Sequence, residues 1–588
     1  MYISNIEIKN FRGIQSLSLN LNSDINIFIG ENNSGKTAIM DAIKYTLETT
    51  SFIKIEEEDF YNSENQFLIK LKFENLTDTE KSILLEYLTY EENGDINFYL
   101  TLFADKKNRN RMNYIRKEIR AGFDANISLD LDVRERIYST YLKPLRDAEE
   151  ELSSGRYSRL SHILNNFLKD DSKSTLNEDI KKFNNTIEES QKSEKYLEII
   201  RSHLENLIFE KEENLTSKVS LSQGREEILY KGLLEKLNLE FSSMDKQGLG
   251  YQNALYIAAE LLLLNQEEDI SSFLIIEEPE AHLHPQLQMK FLSYIMKMLN
   301  SEFKNKIQIF ITTHSPNIAS KVNPGKIILS THKNNKIEMY SLRKEETKLN
   351  EEDYIYLQKF LDITKSNMFF AKGILMVEGP SEEILIPSIA KAIGYNLEDY
   401  GVAIVNVNGV GFSRFSDIFI RSNEDSEKIK IPISVVTDLD LHRYFCDEDS
   451  NLTSVRAKKK HDGTYKTYDL KEYRAEREKS EGNVKNFISA YRSLEIDIFH
   501  SSLKDEFLKI VEDFDYSSHD TMKESYKNIK NKTDIAYFLS KQLESKIDAC
   551  LKCKECDISA LNSCMLSGLP KYITEAIKYS CRKDLNEE

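Results

Sequence analysis

Ile25-Asn26-Ile27-Phe28-Ile29-Gly30-Glu31-Asn32-Asn33-Ser34-Gly35-Lys36-Thr37 is the stretch on which the reading of this chain turns. A strand-like apolar run passes directly into G-x-x-x-x-G-K-[ST], the pattern that joins a strand to a helix through a phosphate-cradling loop. Glycines let successive backbone N–H groups curl around phosphate oxygens, and the helix N-terminus that follows adds positive field. Gly30, Asn32, Asn33, Ser34, Gly35, Lys36 and Thr37 are therefore candidate nucleotide-binding residues. Lys36 would reach the β- and γ-phosphates of ATP, and the Thr37 hydroxyl would ligate Mg²⁺. Upstream, Ile3-Ser4-Asn5-Ile6-Glu7-Ile8 alternates like a second strand.

The loop has partners far along the chain. Phe273-Leu274-Ile275-Ile276 reads as a buried strand that ends in Glu277-Glu278-Pro279-Glu280. A carboxylate at such a strand end holds the Mg²⁺ shell, and the next one orients or deprotonates the attacking water. Glu277 is assigned to the metal and Glu278 to the water; an acidic pair that only caps the turn before Pro279 is the competing reading. Ile307 to Ile311 forms another strand, running into Thr312-Thr313-His314-Ser315-Pro316. A strand-end histidine taken alone is more often structural. His314 resembles the switch histidine that senses the γ-phosphate in ABC-type ATPases.

A second constellation lies past residue 370. Ile374-Leu375-Met376-Val377 runs into Glu378-Gly379-Pro380-Ser381-Glu382, and Ile433-Ser434-Val435-Val436-Thr437 runs into Asp438-Leu439-Asp440. In a parallel sheet the strand C-termini meet along one edge, where ligands bind. Four carboxylates there would hold hard cations such as Mg²⁺ or Mn²⁺. Asp438 and Asp440 share a face because alternate strand positions do. The pattern resembles a Toprim domain, the metal-dependent phosphodiester module of topoisomerases, primases and certain nucleases.

Together the two halves resemble overcoming-lysogenization-defect (OLD) proteins, which fuse an ABC/RecF-like ATPase to a Toprim nuclease. The resemblance is carried also by Ile8-Lys9-Asn10-Phe11-Arg12-Gly13, by Tyr141-Leu142-Lys143-Pro144-Leu145-Arg146-Asp147 and by Glu280-Ala281-His282-Leu283-His284-Pro285. It implies an α/β fold: an ABC-type P-loop ATPase domain with a helical dimerisation insertion, then a Toprim domain with a parallel sheet and helical additions. The expected boundaries are 1–170 and 224–350 for the ATPase parts, 171–223 for the insertion and 369–588 for the Toprim domain. The resemblance also implies further site residues in the second half. Ser493-Leu494-Glu495-Ile496-Asp497-Ile498 would supply Glu495 and Asp497, which share a face if the segment is extended. Lys532 would face the transition-state phosphate, with Lys530 and Lys541 as rivals. The metal ligands expected there are Glu378, Glu382, Asp438, Asp440 and Glu495, and those in the ATPase are Thr37 and Glu277.

ABC-type engines hydrolyse ATP between two protomers, so a homodimer or larger homo-oligomer is implied. Gly248-Leu249-Gly250-Tyr251-Gln252-Asn253 is the signature-helix candidate, and it departs from the Leu-Ser-Gly-Gly-Gln form of transporters. The Q-loop glutamine has no clear match; Asp59-Phe60 stands where it is sought. The expected activity is ATP-gated, metal-dependent cutting of DNA in bacterial defence against phage. Gabija nuclease subunits, which work with a UvrD-like helicase, and retron-associated effectors share the layout, so a helicase or a retron complex is an allowed partner. The alternative is a nucleotide-sensing scaffold whose Toprim site binds metal without cutting. Topoisomerase- or primase-like chemistry is disfavoured, because no tyrosine nucleophile module or primase zinc domain is evident.

Bulk composition bounds the rest. A chain of 588 residues is too long for one core. Apolar content of 40% with 30% charged residues is that of a soluble globular protein. No run reaches membrane-spanning length and no signal peptide is read, so a cytoplasmic protein without membrane contact is expected. A net charge of −18 argues against nonspecific coating of nucleic acid, though Arg456, Lys458, Lys459, Lys460, His461 and Lys466 form a local basic run, either a solvated loop or a guide for DNA. Cys550, Cys553, Cys556 and Cys564 allow a small zinc site or ordinary reduced thiols.

Overall fold

Two kinds of apolar pattern between Met1 and Ser341 produce two kinds of sheet. The computed structural model describes residues 1–48, 54–109, 112–130, 133–134, 136–142, 217–221, 237–241, 271–281, 283–300, 307–333, 336–409, 411–423, 428–439, 443–446, 452–459, 465–478, 480–490, 493–513, 532–552 and 568–582. They divide into two units, Met1–Ser341 and Leu342–Glu588.

The strands of the first unit are β1 (Tyr2–Phe11), β2 (Ile14–Asn20), β3 (Ile25–Gly30), β4 (Gln66–Glu74), β5 (Leu88–Tyr90), β6 (Ile96–Arg109), β7 (Met112–Ala121) and β8 (Ile127–Ser128). There follow β9 (Ile137–Leu142), β10 (Ser217–Leu221), β11 (Leu237–Phe241), β12 (Ser271–Glu277), β13 (Ile307–Thr313), β14 (Ile327–Lys333) and β15 (Lys336–Ser341). One sheet is antiparallel, in the order β2-β1-β4-β6-β7-β8 with β5 on β6. Its strands alternate: Phe67, Ile69, Leu71 and Phe73 of β4 are buried while Lys70 and Lys72 between them are not, as one covered face requires.

The other sheet, β15-β14-β3-β13-β12-β9, is parallel except at the β14–β15 edge. Ile25, Ile27, Phe28 and Ile29 of β3 are all buried, the continuous pattern of a strand covered on both sides. Helix α1 (Lys36–Leu47) leaves the end of β3, and α2 (Pro285–Asn300) follows β12. The sheets share a core, in which Phe73 of β4 meets Phe273 of β12 with ring centroids 6.0 Å apart. A buried amide ties them as well. Gln308 of β13 accepts the Ile3 N–H at 2.8 Å and donates to the carbonyls of Ile3 and Asn22 at 2.9 and 2.7 Å.

Two boundaries differ from expectation. Ser217–Leu221, expected within the helical insertion, is instead β10, paired antiparallel with β11. The rest of that insertion and the signature candidate at 248–253 lie outside the described residues. Residues 342–350 belong to the second unit, where the Tyr354 hydroxyl donates to the Leu342 carbonyl at 2.6 Å.

The second unit is built on a four-stranded parallel sheet. Its elements are β16 (Gly373–Val377), α3 (Pro380–Ala392), β17 (Val402–Asn406), β18 (Ile433–Thr437), β19 (Arg443–Cys446), β20 (Leu452–Lys459), β21 (Tyr465–Asp469), α4 (Leu470–Arg477), β22 (Val484–Ile488), α5 (Leu494–Phe499), α6 (Lys532–Lys552) and α7 (Lys571–Ser580). The order is β17-β16-β18-β22, and β19-β20-β21 forms a separate antiparallel sheet inserted between β18 and α4. Leu375, Val377, Leu385, Ile386, Leu539 and Ile573 bring β16, α3, α6 and α7 into one core. The tight β16–β18 pairing puts the ends of both strands on the same edge, which is what places the acidic residues. No helix among the described residues is long and apolar enough to cross a membrane.

Candidate nucleotide and metal sites

The phosphate loop has the geometry its spacing implies. Gly30 ends β3 so close to β14 that a Cβ would lie 2.1 Å from the Ser330 carbonyl oxygen, which bars every side chain. Gly35 stands at φ 92° just before α1, in the left-handed region that suits glycine. Ser34 is buried and Asn32 and Asn33 are exposed at the turn. The Lys36 ammonium donates to the carbonyls of Gly30 at 2.9 Å and Glu31 at 2.6 Å, positions a phosphate oxygen would take over. Burial pulls its pKa down to about 8, against the opposing pull of Glu278, Glu280, Glu31 and Glu277.

Glu277, Glu278 and His314 gather at the neighbouring strand ends. Glu277 is buried, and burial raises its pKa. Its Oε2 accepts the Tyr141 hydroxyl at 2.8 Å, and its Oε1 is buried without a hydrogen-bond partner among the described residues. An orphaned carboxylate oxygen beside the Thr37 hydroxyl, which acts on the same carboxyl, fits a Mg²⁺ ion bound with ATP. Glu278 has φ 44° and holds the end of β13 through its N–H, 3.0 Å from the Thr312 carbonyl. Its Oε1 lies 3.4 Å from His314 Nε2, which supports a joint station for the two residues. Burial, then Lys36, lowers the His314 pKa. Asp59, sought as a Q-loop equivalent, is bound by Arg12 Nε at 2.8 Å.

In the second unit the carboxylates converge at one edge of the parallel sheet. Glu378 follows β16 and its Oε2 accepts the Asp438 N–H at 3.2 Å. Asp438 follows β18, and its Oδ1 accepts the Leu494 N–H, 3.1 Å away, at the start of α5. Glu382 sits in the first turn of α3 and Glu495 in the first turn of α5, both buried. Burial, then Glu378, Glu382 and Glu495, pushes the Asp438 pKa up to about 9. Burial, then Glu495 and Glu378, pushes Glu382 up to about 7. The Lys532 ammonium lies 2.8 Å from Glu495 Oε1; burial works to lower its pKa, and Glu495, Asp438 and Glu382 outweigh that and raise it.

An all-oxygen set of mutually repelling carboxylates, with Glu382 and Glu495 buried and Glu378 and Asp438 half-buried, fits hard divalent cations, whose charge would relieve the repulsion. Among the described residues no three such side chains are yet gathered tightly enough to hold an ion as they stand. Asp440 lies outside the described residues, as do His282, Lys530, Cys553, Cys556 and Cys564.

The expectation of an extended segment at Glu495 and Asp497 is corrected. Residues Leu494–Phe499 form a helix, so positions two apart stand about 200° apart around its axis. Asp497 is buried and accepts the Ala490 N–H at 2.9 Å, closing the turn between β22 and α5. Tyr141 and Tyr572 were missed by sequence reading. Tyr572 is buried in α7, where burial and then Asp438, Asp497, Glu382 and Glu495 push its pKa well up.

Both raised carboxyls bind protons more tightly in the fold than in the unfolded chain. Their stabilising contribution is complete at low pH and is lost as pH rises through about 7 and then about 9. In chelator, the melting temperature of the second unit should fall between pH 6 and pH 9 by on the order of 5 °C. Mg²⁺ should restore more of it at pH 9 than at pH 6. Scanning calorimetry showing a flat melting temperature in chelator across that range would dismiss the coupling.

Comparison with known proteins agrees with this division of labour. A family model described as an AAA ATPase domain matches residues 1–319. A second, described as the TOPRIM domain of overcoming lysogenization defect protein-like proteins, matches residues 369–440. Endonuclease GajA of Bacillus cereus (strain HuB5-5) is 26% identical over 454 residues, which cover 71% of this chain and 61% of that protein. OLD nuclease of Thermus scotoductus (strain ATCC 700910 / SA-01) is 28% identical over 169 residues, 28% of this chain and 31% of that protein. The chain thus spans less than two thirds of either relative. A crystal structure of the Smc head bound to the C-winged helix domain of ScpA covers 59% of this chain and 99% of its own at 13% identity, with a TM-score of 0.40, too weak to argue from. Because the first match alone spans more than half of the 588 residues, the chain belongs to the AAA ATPase-domain family, in the OLD arrangement with a Toprim domain behind the ATPase.

Proposed function

We propose that this chain is an ATP-binding DNA endonuclease that breaks phosphodiester bonds with Mg²⁺ or Mn²⁺ at the acidic edge of its second sheet, and that nucleotide state gates the cutting. The observation that carries the reading is the meeting of Glu378, Glu382, Asp438 and Glu495 with Lys532 at that edge. Cations held there would supply a nucleophilic water and neutralise a leaving 3′-oxygen. Glu378, Glu382, Asp438 and Glu495 would hold the cations, and Asp440 is a further ligand by its place in the sequence. Lys532 gives positive charge for a non-bridging phosphate oxygen.

On the ATPase side, Lys36 and the 30–37 loop would bind the phosphates, Glu277 and Thr37 would hold the Mg²⁺, and Glu278 with His314 would position water at the γ-phosphate. Assembly as a homodimer or larger would complete the ATP sites. The names of both relatives, each a nuclease, support DNA as substrate. Defence against phage is part of the same proposal.

The test is nicking of supercoiled plasmid by the purified chain. The wild type should cut with Mg²⁺ or Mn²⁺ and stop in chelator, and Glu378→Ala should fall to background. Equal residual cleavage by wild type and variant would eliminate the nuclease.

A further inference from the structure

Two arginines one helical turn apart on α4 grip the chain just past β18, where Asp438 stands, and just past β22, ahead of α5 and Glu495. Arg477 donates from Nη1 to the carbonyl oxygens of Asp438 at 3.1 Å and Leu439 at 3.0 Å. Arg474 donates from Nη2 to the carbonyl oxygens of Ser489, at 3.3 Å, and Ala490. The first pair of carbonyls directly follows β18 and the second directly follows β22.

The gripped turns are cross-tied to each other and to the acidic residues. The Leu439 N–H donates to Ser489 Oγ at 2.8 Å, and the Ala490 N–H to Asp497 Oδ1 at 2.9 Å. The Leu494 N–H then reaches Asp438 Oδ1 at 3.1 Å, next to Glu495 in the chain. Asn486 of β22 fixes the end of α4 by donating from Nδ2 to the Arg477 carbonyl at 3.1 Å.

We propose that Arg474 and Arg477 are positioning residues of the metal site, setting the Asp438 turn against the Glu495 turn before any cation arrives. The proposal rests on the acidic cluster being the place where cations bind. Carbonyls at the C-terminal ends of parallel strands repel one another and the nearby carboxylates. A guanidinium answers with several donors in one rigid plane, so it fixes two successive peptide groups at once. In each arginine both bonds leave one terminal nitrogen, whose N–H groups are held in the guanidinium plane; a lysine ammonium on its flexible stem has no such fixed plane and holds the pair less well. Partners that orient metal ligands from behind are typically worth about 10- to 100-fold in metal affinity.

The experiment uses the full chain with Arg477→Gln, Arg477→Lys and Arg474→Gln beside wild type and Glu378→Ala. Mn²⁺ alone is the probe, followed by electron paramagnetic resonance for binding and by plasmid nicking for activity. A fluorescent ATP analogue reports that the first unit is intact.

Arg477→Gln should raise the Mn²⁺ concentration for half-maximal nicking about 10-fold. The rate at saturating Mn²⁺ should fall by less than about threefold, and Arg477→Lys should recover part of the shift. An unchanged Mn²⁺ requirement in both Gln variants overturns the proposal, as does a loss of rate that excess Mn²⁺ does not repair. If Arg477→Gln fails to fold, Arg477→Lys and Arg474→Gln carry the same two outcomes. If Glu378→Ala cuts like wild type, the nuclease reading falls, and Mn²⁺ binding by the arginine variants still decides the positioning role.

Discussion

Lys36→Ala should weaken ATP binding by about 100-fold or more while leaving the fold in place. The ammonium is buried, with its charge satisfied by the carbonyls of Gly30 and Glu31 and by the field of four glutamates. When ATP binds, phosphate oxygens replace those carbonyls as acceptors. Hydrogen bonds to a charged group contribute about 1.5–3 kcal/mol each, and two of them lost correspond to roughly two to four powers of ten in affinity. The alanine leaves no donor in their place. Equilibrium titration with a fluorescent ATP analogue reads the effect, and wild-type affinity in the variant would refute the loop. Glu278→Gln should behave differently, retaining ATP and failing to turn it over, since the carboxylate beside His314 is assigned to the water rather than to the phosphates.

Asp438→Asn should move stability and activity in opposite directions. The amide keeps the size of the side chain and an acceptor for the Leu494 N–H, and removes a half-buried charge that Glu378, Glu382 and Glu495 oppose. Cutting should fall by more than about 100-fold, beyond the loss typical of a partner that only orients a metal ligand. In chelator at pH 9 the variant should melt several degrees above wild type, by about 5 °C. At pH 6 the difference should be smaller, and it should vanish only at about pH 4, where the carboxyl is protonated in the unfolded chain as well as in the fold, in which its pKa is pushed up to about 9. A carboxylate with a purely structural role would cost stability when replaced. A variant less stable than wild type at pH 9 would therefore remove Asp438 from the metal site.

The parts readable in advance are those whose chemistry is written into neighbouring residues. Gly30 to Thr37 follows β3 with no interruption, and Glu277 and Glu278 follow a run apolar enough to be a strand in any context. Glu378 and Asp438 were legible for the same reason. The helix at Leu494–Phe499 was not: Leu494, Ile496 and Ile498 alternate with polar residues as a strand would, and six residues are too few for periodicity to decide. Packing decided instead, with Leu494 and Ile498 buried in the core and Asp497 turned to the Ala490 amide. Tyr141 was hidden by distance along the chain, since it meets Glu277 through the pairing of β9 with β12. No sequence pattern singles out Arg474 and Arg477; their carbonyl partners follow two strands that sequence alone does not bring together.

The position of β3 in its sheet bears on how the protein is made. Its neighbours are β13 and β14, which begin at Ile307 and Ile327, so the strand that carries the phosphate loop is translated almost 300 residues before the second of them. At roughly 5–20 residues per second a ribosome needs about 15–60 s to cover that gap. Throughout it, the apolar Ile25–Gly30 segment emerges with both hydrogen-bonding edges unclaimed, exposed to mispairing with other nascent chains. Heat-shock chaperones that shield such segments should raise the soluble yield of this protein, and cooling the culture should do the same.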